Sequence, residues 1–153
     1  MLVRCLMMVL LLTCSSALQA APQPNVSETL AGLKTAKVVF DVRVADLDKL
    51  VFNLQLFTET LEGIVAQGVK PEMVVTFRGP TVKLLTAAEL DDDALELLRA
   101  LKKKGVQFEA CAVAMRVTKA DSAGLVPEIK LVTNVFLSLI GYQNKGYAMI
   151  AIN

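Results

Sequence analysis

The chain has 153 residues, 54% of them hydrophobic, a length typical of one domain rather than two. Its 16 basic and 15 acidic residues nearly balance, so no long-range charge attracts nucleic acid or an anionic membrane. It contains no histidine, which excludes Ser-His-Asp and Cys-His catalysis, histidine-ligated zinc and imidazole acid–base chemistry.

The first twenty residues have the pattern of a secretory signal peptide. Arg4 supplies a positive charge, the apolar run Cys5–Leu12 follows, and small residues lead to Ala20. The apolar run is too short for a membrane span, which needs about 20 residues. The sequence therefore predicts a signal peptide over residues 1–20 and a periplasmic or secreted protein with no membrane span.

The cysteines bear on the localisation of the protein and on the chemistry of its mature part. Cys14 follows aliphatic residues, as the lipid-bearing cysteine of a lipoprotein signal does, so a lipoprotein is the alternative localisation. Cleavage removes Arg4, Cys5 and Cys14, which leaves 15 basic and 15 acidic residues and one cysteine, Cys111. A lone thiol forms no internal disulfide and no cysteine-rich metal site. We therefore expect neither a metal nor a cofactor.

Residues 21–35 are polar and are interpreted as a linker to a domain over residues 36–153, in which strand-like and helix-like segments alternate. The predicted strands are Val38–Val44, Met73–Phe77, Val106–Ala110, Ile129–Val132 and Gly146–Ile152. The predicted helices are Asp46–Ala66, a segment opened by Thr86 and stopped by Gly105, and Asn134–Ile140, while the stretch after Cys111 is less regular. This order implies an α/β fold with a mainly parallel five-stranded sheet and helices on both faces.

The second predicted helix has the clearest end signals. Thr86 and Glu89 fit a capping box, in which the threonine side chain accepts from a free amide and the glutamate reaches back. Asp91–Asp93 lies near the start and Lys102–Lys104 near the end. These charges match the helix macrodipole, so we interpret them as helix electrostatics rather than as metal and anion sites.

Two apolar surfaces exceed what one small domain can cover. Phe52 and Leu56 lie one turn apart, off the main apolar stripe of the first helix, which consists of Leu47, Leu50, Val51, Leu54, Leu61, Ile64 and Val65. The last helix, Asn134–Ile140, is apolar nearly all round. Large exposed apolar patches usually mark interfaces, so we predict a homo-oligomer.

Cys111 follows the third predicted strand, at the sheet edge where functional groups of open α/β folds gather. If a helix follows, its free amides would favour the thiolate, and Arg116 could add positive charge. A free cysteine is also often a small buried hydrophobe, and its neighbours Ala110, Ala112 and Val113 suit a core. The residues around Cys111 are therefore compatible with both a functional thiol and an inert one.

Four segments resemble the DsrE/DsrF-like (YchN-like) family: Lys37–Phe40, Arg78–Leu85, Gly105–Cys111 and Tyr142–Ile150. The resemblance spans about residues 37–152 and implies a flavodoxin-like sheet and an oligomer. In the family's sulfur-relay members, a cysteine at the position matching Cys111 carries sulfur as a persulfide.

Two functions follow as hypotheses. The first is an exported DsrE-like protein whose Cys111 acts in persulfide transfer or thiol redox chemistry, with Arg116, Arg78 and Gly79 supporting the anion. Its partners would be a sulfur donor or acceptor protein or a small thiol. The alternative is a non-enzymatic oligomeric binding module in which Cys111 is buried and inert.

Overall fold

The computed structural model describes residues 28–153. The predicted signal peptide over residues 1–20, including Cys14, and the first part of the predicted linker lie outside the described residues. A 3-10 helix, Glu28–Leu30, is the first described element.

Strands and helices alternate in the predicted order. The strands are β1 (Thr35–Val42), β2 (Lys70–Phe77), β3 (Gln107–Cys111), β4 (Lys130–Val132) and β5 (Ala148–Ile152). The α-helices are α1 (Leu47–Ala66), α2 (Asp92–Lys103), α3 (Ala112–Thr118) and α4 (Val135–Asn144), and a second 3-10 helix covers Gly79–Leu84. Helix α3 lies in the stretch after Cys111 that was predicted to be less regular. The sequence did not predict this helix, because seven residues are too few to display a periodic pattern.

The five strands form one sheet in the order β4-β3-β2-β1-β5. Every neighbouring pair is parallel, so all carboxyl ends meet at one edge. The predicted α/β fold with a mainly parallel five-stranded sheet is confirmed, and in this chain the sheet is entirely parallel.

One face of the sheet, which we call the first face, is covered by α1 and α2. Helix α1 begins after Asp46, whose carboxylate accepts a hydrogen bond from the backbone N–H of Lys49 at 2.9 Å. Its buried apolar side chains pack on alternate residues of β1 and β2 such as Phe40. Phe57 is buried there and its ring centroid lies 4.4 Å from that of Phe40. Burial of one such side chain contributes about 1.5–3 kcal/mol.

Two residues of α1 differ from the predicted stripe. Val65, which was predicted to be buried, is exposed, and Phe57, which was not assigned to the stripe, is buried. Ile64 is the last residue of α1 that is buried in the core. The predicted exposure of Phe52 and Leu56 is confirmed at 57% and 39%.

Helix α2 begins later than the capping box predicted. Its N-cap is Asp91, whose side chain accepts a hydrogen bond from the backbone N–H of Ala94 at 2.8 Å. Thr86 instead pairs with Leu125 in an isolated antiparallel bridge, and its carbonyl accepts from the amides of Glu89 and Leu90 in a turn. The predicted capping box is therefore wrong, because Thr86 pairs with Leu125 and lies before the start of the helix.

The opposite face, which we call the second face, is covered mainly by α4. This helix lies in the connection that runs from edge strand β4 to the opposite edge strand β5. Val135 and Leu139 are buried against Val39 and Val74, whereas Phe136, Leu137 and Ile140 are each more than half exposed. Helices thus lie on both faces, as predicted, but the second face has the thinner cover.

Candidate functional site

Cys111 lies at the junction of β3 and α3. It is the last residue of β3 and the N-cap of α3, and its side chain caps no backbone amide. The residue is 5% exposed and belongs to the apolar cluster of the second face, with Val135 and Leu139 of α4. A helix therefore follows Cys111, as the hypothesis of a functional thiol requires. The side chain of Cys111 is also buried among apolar residues, as the hypothesis of an inert thiol requires.

Arg78 lies at the same edge of the sheet, directly after β2. Its Nε donates to Asp41 Oδ1 at 2.8 Å and its Nη2 donates to Asp41 Oδ2 at 2.6 Å. Its guanidinium also lies 5.1 Å from the ring centroid of Phe136 on α4. Phe77, the residue before Arg78, pairs with Ala110, the residue before Cys111. Arg78 is thus level with Cys111 on the adjacent strand, but its charge is paired with Asp41.

Gly79 and Arg116 have different positions. Gly79 has φ +59°, in the left-handed region that glycine adopts at little cost, and it begins the 3-10 helix after β2. Arg116 is exposed in the last turn of α3. It forms no ion pair or hydrogen bond with another side chain among residues 28–153. Five residues of helix separate it from Cys111 by about 7.5 Å along the axis. Neither arginine forms a hydrogen bond or ion pair with Cys111, since Arg78 pairs with Asp41 and Arg116 lies at the far end of α3.

Glu109 is a polar residue of this face that the sequence did not single out. It is 6% exposed, two residues before Cys111 on β3, so both side chains project from the second face. The hydroxyl of Tyr142 donates to Glu109 Oε1 at 3.0 Å. Oε2 is buried with no hydrogen-bond partner among the described residues. A charged residue between Phe108 and Ala110 in a short strand was the sequence signal that could have drawn attention to it.

Tyr142 is held in its neutral form. Burial raises the pKa of Tyr142 well above its ordinary value, and the hydrogen bond to Glu109 and the charge of that carboxylate raise it further. Tyr142 is therefore a hydrogen-bond donor to Glu109 throughout the physiological range.

A second tyrosine–carboxylate contact lies at the amino end of the same face. Tyr147 donates to Glu72 Oε2 at 3.3 Å, and its ring centroid lies 5.0 Å from that of Tyr142. Burial and the charge of Glu72 raise the pKa of Tyr147. Lys37 lies 3.9 Å from Glu72 Oε2 and so compensates that carboxylate. Glu72 thus differs from Glu109, whose second oxygen is unpaired.

Strand register aligns a polar row across the middle of the second face. Asp41 pairs with Thr76, Thr76 with Glu109, and Glu109 with Lys130. Thr76 is buried and donates to the Phe40 carbonyl at 3.1 Å. Lys130 is exposed and makes no ion pair with another described residue. Of the two buried carboxylates in the row, only Asp41 has a salt-bridge partner in the described part of the chain.

Between residues 28 and 153, no three side chains of histidine, cysteine, aspartate or glutamate are grouped so that they could hold a metal ion. None of the helices in that range is long and apolar enough to cross a membrane.

The fold is that of an open, all-parallel α/β protein, and Cys111, the one cysteine among the described residues, lies buried at the carboxyl end of an inner strand. Within this class, the model of the DsrE/DsrF-like family matches residues 37–152, and the chain belongs to that family. The predicted resemblance is thereby confirmed.

One curated relative is an uncharacterized protein of Aquifex aeolicus (strain VF5), 32% identical over 124 residues. The match covers 74% of this chain and 55% of that protein, so the chain spans about half the length of the relative.

Two solved structures share the fold. A protein of unknown function from Methanobacterium thermoautotrophicum, MTH1491, superimposes with a TM-score of 0.64 at 19% identity and covers 76% of this chain and 98% of its own. The YchN protein of E. coli superimposes with a TM-score of 0.63 at 13% identity and covers 77% of this chain and 100% of its own. At these identities the likeness establishes the fold alone.

The Arg78–Asp41 pair gives a prediction for stability. Arg78→Met leaves the Asp41 carboxylate, with a side chain 4% exposed, buried without a cation, and we expect a loss of about 3–5 kcal/mol in the free energy of unfolding. The double variant Asp41→Asn/Arg78→Met should lose less, because no uncompensated charge remains. Urea unfolding followed by circular dichroism measures both.

The matched control is Arg116→Met, which changes an exposed, unpaired arginine and should stay within about 0.5 kcal/mol of the wild type. Equal small losses for Arg78→Met and Arg116→Met would contradict the structural role of the ion pair.

Proposed function

We propose that this protein handles sulfur through Cys111, either as a persulfide carrier or as a thiol that forms mixed disulfides. Membership of the DsrE/DsrF-like family supports a sulfur-relay or related role. The observation that carries the proposal for this chain is the placement of Cys111, which ends an inner strand at the carboxyl edge of the sheet and begins α3. Amides at a helix start favour a thiolate.

The chemistry is a displacement at sulfur. The Cys111 thiolate attacks the outer sulfur of a small-thiol persulfide, R–S–SH. A new S–S bond forms on Cys111, the S–S bond of the donor breaks, and the leaving thiolate takes up a proton to become R–SH. The same thiolate attacks a disulfide R–S–S–R to give a mixed disulfide and R–SH. Neither reaction needs a metal, a cofactor or an external oxidant.

The alternative function is a non-enzymatic, oligomeric binding module with an inert cysteine. The burial of Cys111 favours it, since the residue is 5% exposed and lies beneath Val135 and Leu139 of α4. A thiol of this kind often serves only as a small hydrophobe. The two functions differ in one measurable property, the reactivity of Cys111 in the folded protein.

Incubation with polysulfide, thiosulfate or glutathione disulfide, followed by peptide mass spectrometry, tests the proposal. We expect the Cys111 peptide to gain one sulfur atom from polysulfide or one glutathione from the disulfide. Cys111→Ser is the matched control and should gain neither at this peptide. Modification only after unfolding would contradict a reactive thiol and support the binding module.

We also propose that the protein is a homo-oligomer, because α4 leaves an apolar patch of Phe136, Leu137 and Ile140 in solvent. Light scattering on the mature protein at micromolar concentration should give a multiple of the mass of one mature chain. Leu137→Ser/Ile140→Ser should lower the mass, whereas Phe52→Ser/Leu56→Ser tests the second exposed pair, on α1. A monomeric wild type would refute the proposal.

We further propose that the chain is exported, on the basis of residues 1–20. Expressed in a diderm host, the protein should be recovered from the periplasm with its first residue at Ala21 or Pro22. Lipid attachment would instead give a chain that begins at a modified Cys14. Uncleaved protein in the cytoplasm would overturn both forms of the proposal.

A further inference from the structure

The two edge strands of the sheet differ in length and in charge. Edge strand β4 has three residues and includes Lys130, whereas β5 has five residues, Ala148–Ile152, and no charged side chain. Folded proteins usually protect an edge strand by a short length, a charge, a proline or a covering loop, because its free backbone groups pair readily with another chain. Strand β5 has neither a charge nor a proline, and no described strand pairs with its outer side.

The backbone of β5 directs hydrogen-bonding groups to that outer side. The carbonyl of Ile152 accepts a hydrogen bond from the N–H of Arg43, directly after β1, at 2.8 Å. Successive residues of a strand direct their backbone groups to opposite neighbours. Ile152 and Ile150 therefore face β1, whereas the N–H and carbonyl groups of Met149 and Ala151 point away from it and are open to a further strand.

Apolar side chains are exposed on both faces of the same strand. Ile150 is 45% exposed on the first face, in register with Phe40, and Met149 is 46% exposed on the second face, in register with Val39. On the first face, Ile150 also lines an apolar groove of about 500 Å³ beside the last turns of α1, which the exposed Leu33 lines as well. Strand β5 thus combines open backbone groups with an apolar surface of the kind that marks an interface.

The residues that precede Glu28 are a poor match for this edge. In the predicted mature chain they are residues 21–27, which include Pro22 and Pro24 and only one large apolar residue, Val26. Proline has no backbone N–H, so it cannot donate a hydrogen bond to a neighbouring strand. A strand that covers β5 therefore comes from another chain.

The side chains of β5 match a second copy of the same strand. A twofold axis at Ile150 places two copies antiparallel, with Met149 opposite Ala151 and Ala148 opposite Ile152 of the other copy. Each of these pairs joins a large side chain to a small one, and no like charges lie opposite each other. Met149 and Ala151 are also the residues with outward backbone groups, and directly opposite residues of an antiparallel pair can exchange both N–H···O bonds.

From these observations we infer that β5 pairs antiparallel with β5 of a second copy, centred on Ile150, so that two five-stranded sheets form one continuous sheet. The inference goes beyond the proposed function, because it involves neither the Cys111 thiol nor the exposed patch on α4. The carboxyl edges of the two copies lie on opposite sides of the joined sheet. Seven strand spacings separate the two β3 strands, so the two Cys111 residues are roughly 34 Å apart across the sheet. Each copy thus keeps its own Cys111 edge, and no disulfide joins the two thiols within this dimer.

Disulfide formation between introduced cysteines tests the register. Opposite residues that exchange no hydrogen bonds in an antiparallel pair have Cα atoms about 4.5 Å apart, a distance that a disulfide spans. In the mature Cys111→Ser protein, Ile150→Cys should therefore give a disulfide-linked dimer with glutathione disulfide as the oxidant, measured as a doubled mass on non-reducing gels.

Ala148→Cys in the same background is the matched control. Ala148 is exposed on the same face of the same strand, but its two copies lie about 14 Å apart in this register. This variant should therefore stay a single chain on the gel. Equal linkage of Ala148→Cys and Ile150→Cys, or no linkage of Ile150→Cys, would overturn the inference.

Light scattering on the mature protein gives an independent measurement. Ile150→Lys places two like charges directly opposite each other and should lower the mass of the assembly about twofold, to that of the assembly without this contact. Ala100→Lys adds the same charge to an exposed position of α2 and should leave the mass unchanged. Circular dichroism on both variants establishes that the fold is intact.

The outcomes separate this interface from the one proposed on α4. A mass that falls with Ile150→Lys but not with Leu137→Ser/Ile140→Ser would support β5 pairing and refute the α4 contact. The reverse result would overturn the inference and keep the α4 contact. A monomeric wild type without Ile150→Cys linkage would refute both interfaces, and the edge of β5 would then be open to an extended segment of a different protein. None of these results depends on whether Cys111 takes up sulfur.

Discussion

Arg78 joins three parts of the molecule at the edge where the strands end. It holds Asp41 of β1 with two short hydrogen bonds, follows β2 directly, and places its guanidinium over Phe136 of α4. Asp41 lies on a face that α4 makes apolar, and a carboxylate buried there without a cation would be strongly destabilising. The ion pair thus allows Asp41 to remain buried beneath α4. The same guanidinium also contacts Phe136 near the start of α4.

The uneven cover of the sheet explains the remaining features of that face. Two helices fill the first face with apolar side chains, whereas the single connection from β4 to β5 must cross all the other strands. One helix of ten residues covers only part of that width. It buries Val135 and Leu139 on one side and leaves Phe136, Leu137 and Ile140 exposed on the other. A thin, apolar cover on an otherwise polar face is the environment in which Cys111 and Glu109 lie.

The second face also contains a carboxylate oxygen that has no hydrogen-bond partner in the described part of the chain. A buried polar atom without a hydrogen bond costs stability, and such atoms are rare in folded proteins. Glu109 Oε2 is one of two in the described part of this chain, and the other, on Glu128, belongs to a carboxylate already paired with Arg99 at 2.9 Å. Unlike Asp41 and Glu128, the Glu109 carboxylate therefore has no cation beside it among the described residues.

Sequence patterns alone determined the alternation of strands and helices, the start of α1 at Asp46, the family, and the position of Cys111 at a strand end. These features depend on neighbours within a few residues, through hydrophobic period, caps and turn residues. The local capping signal at Thr86 failed, because Thr86 pairs with Leu125 and α2 begins after Asp91 instead. The pairs Arg78–Asp41 and Tyr142–Glu109 join residues 37 and 33 positions apart. Both pairs depend on the order and register of the strands, because these determine which side chains of different strands lie side by side on one face. The pattern of residues along a single strand does not specify them.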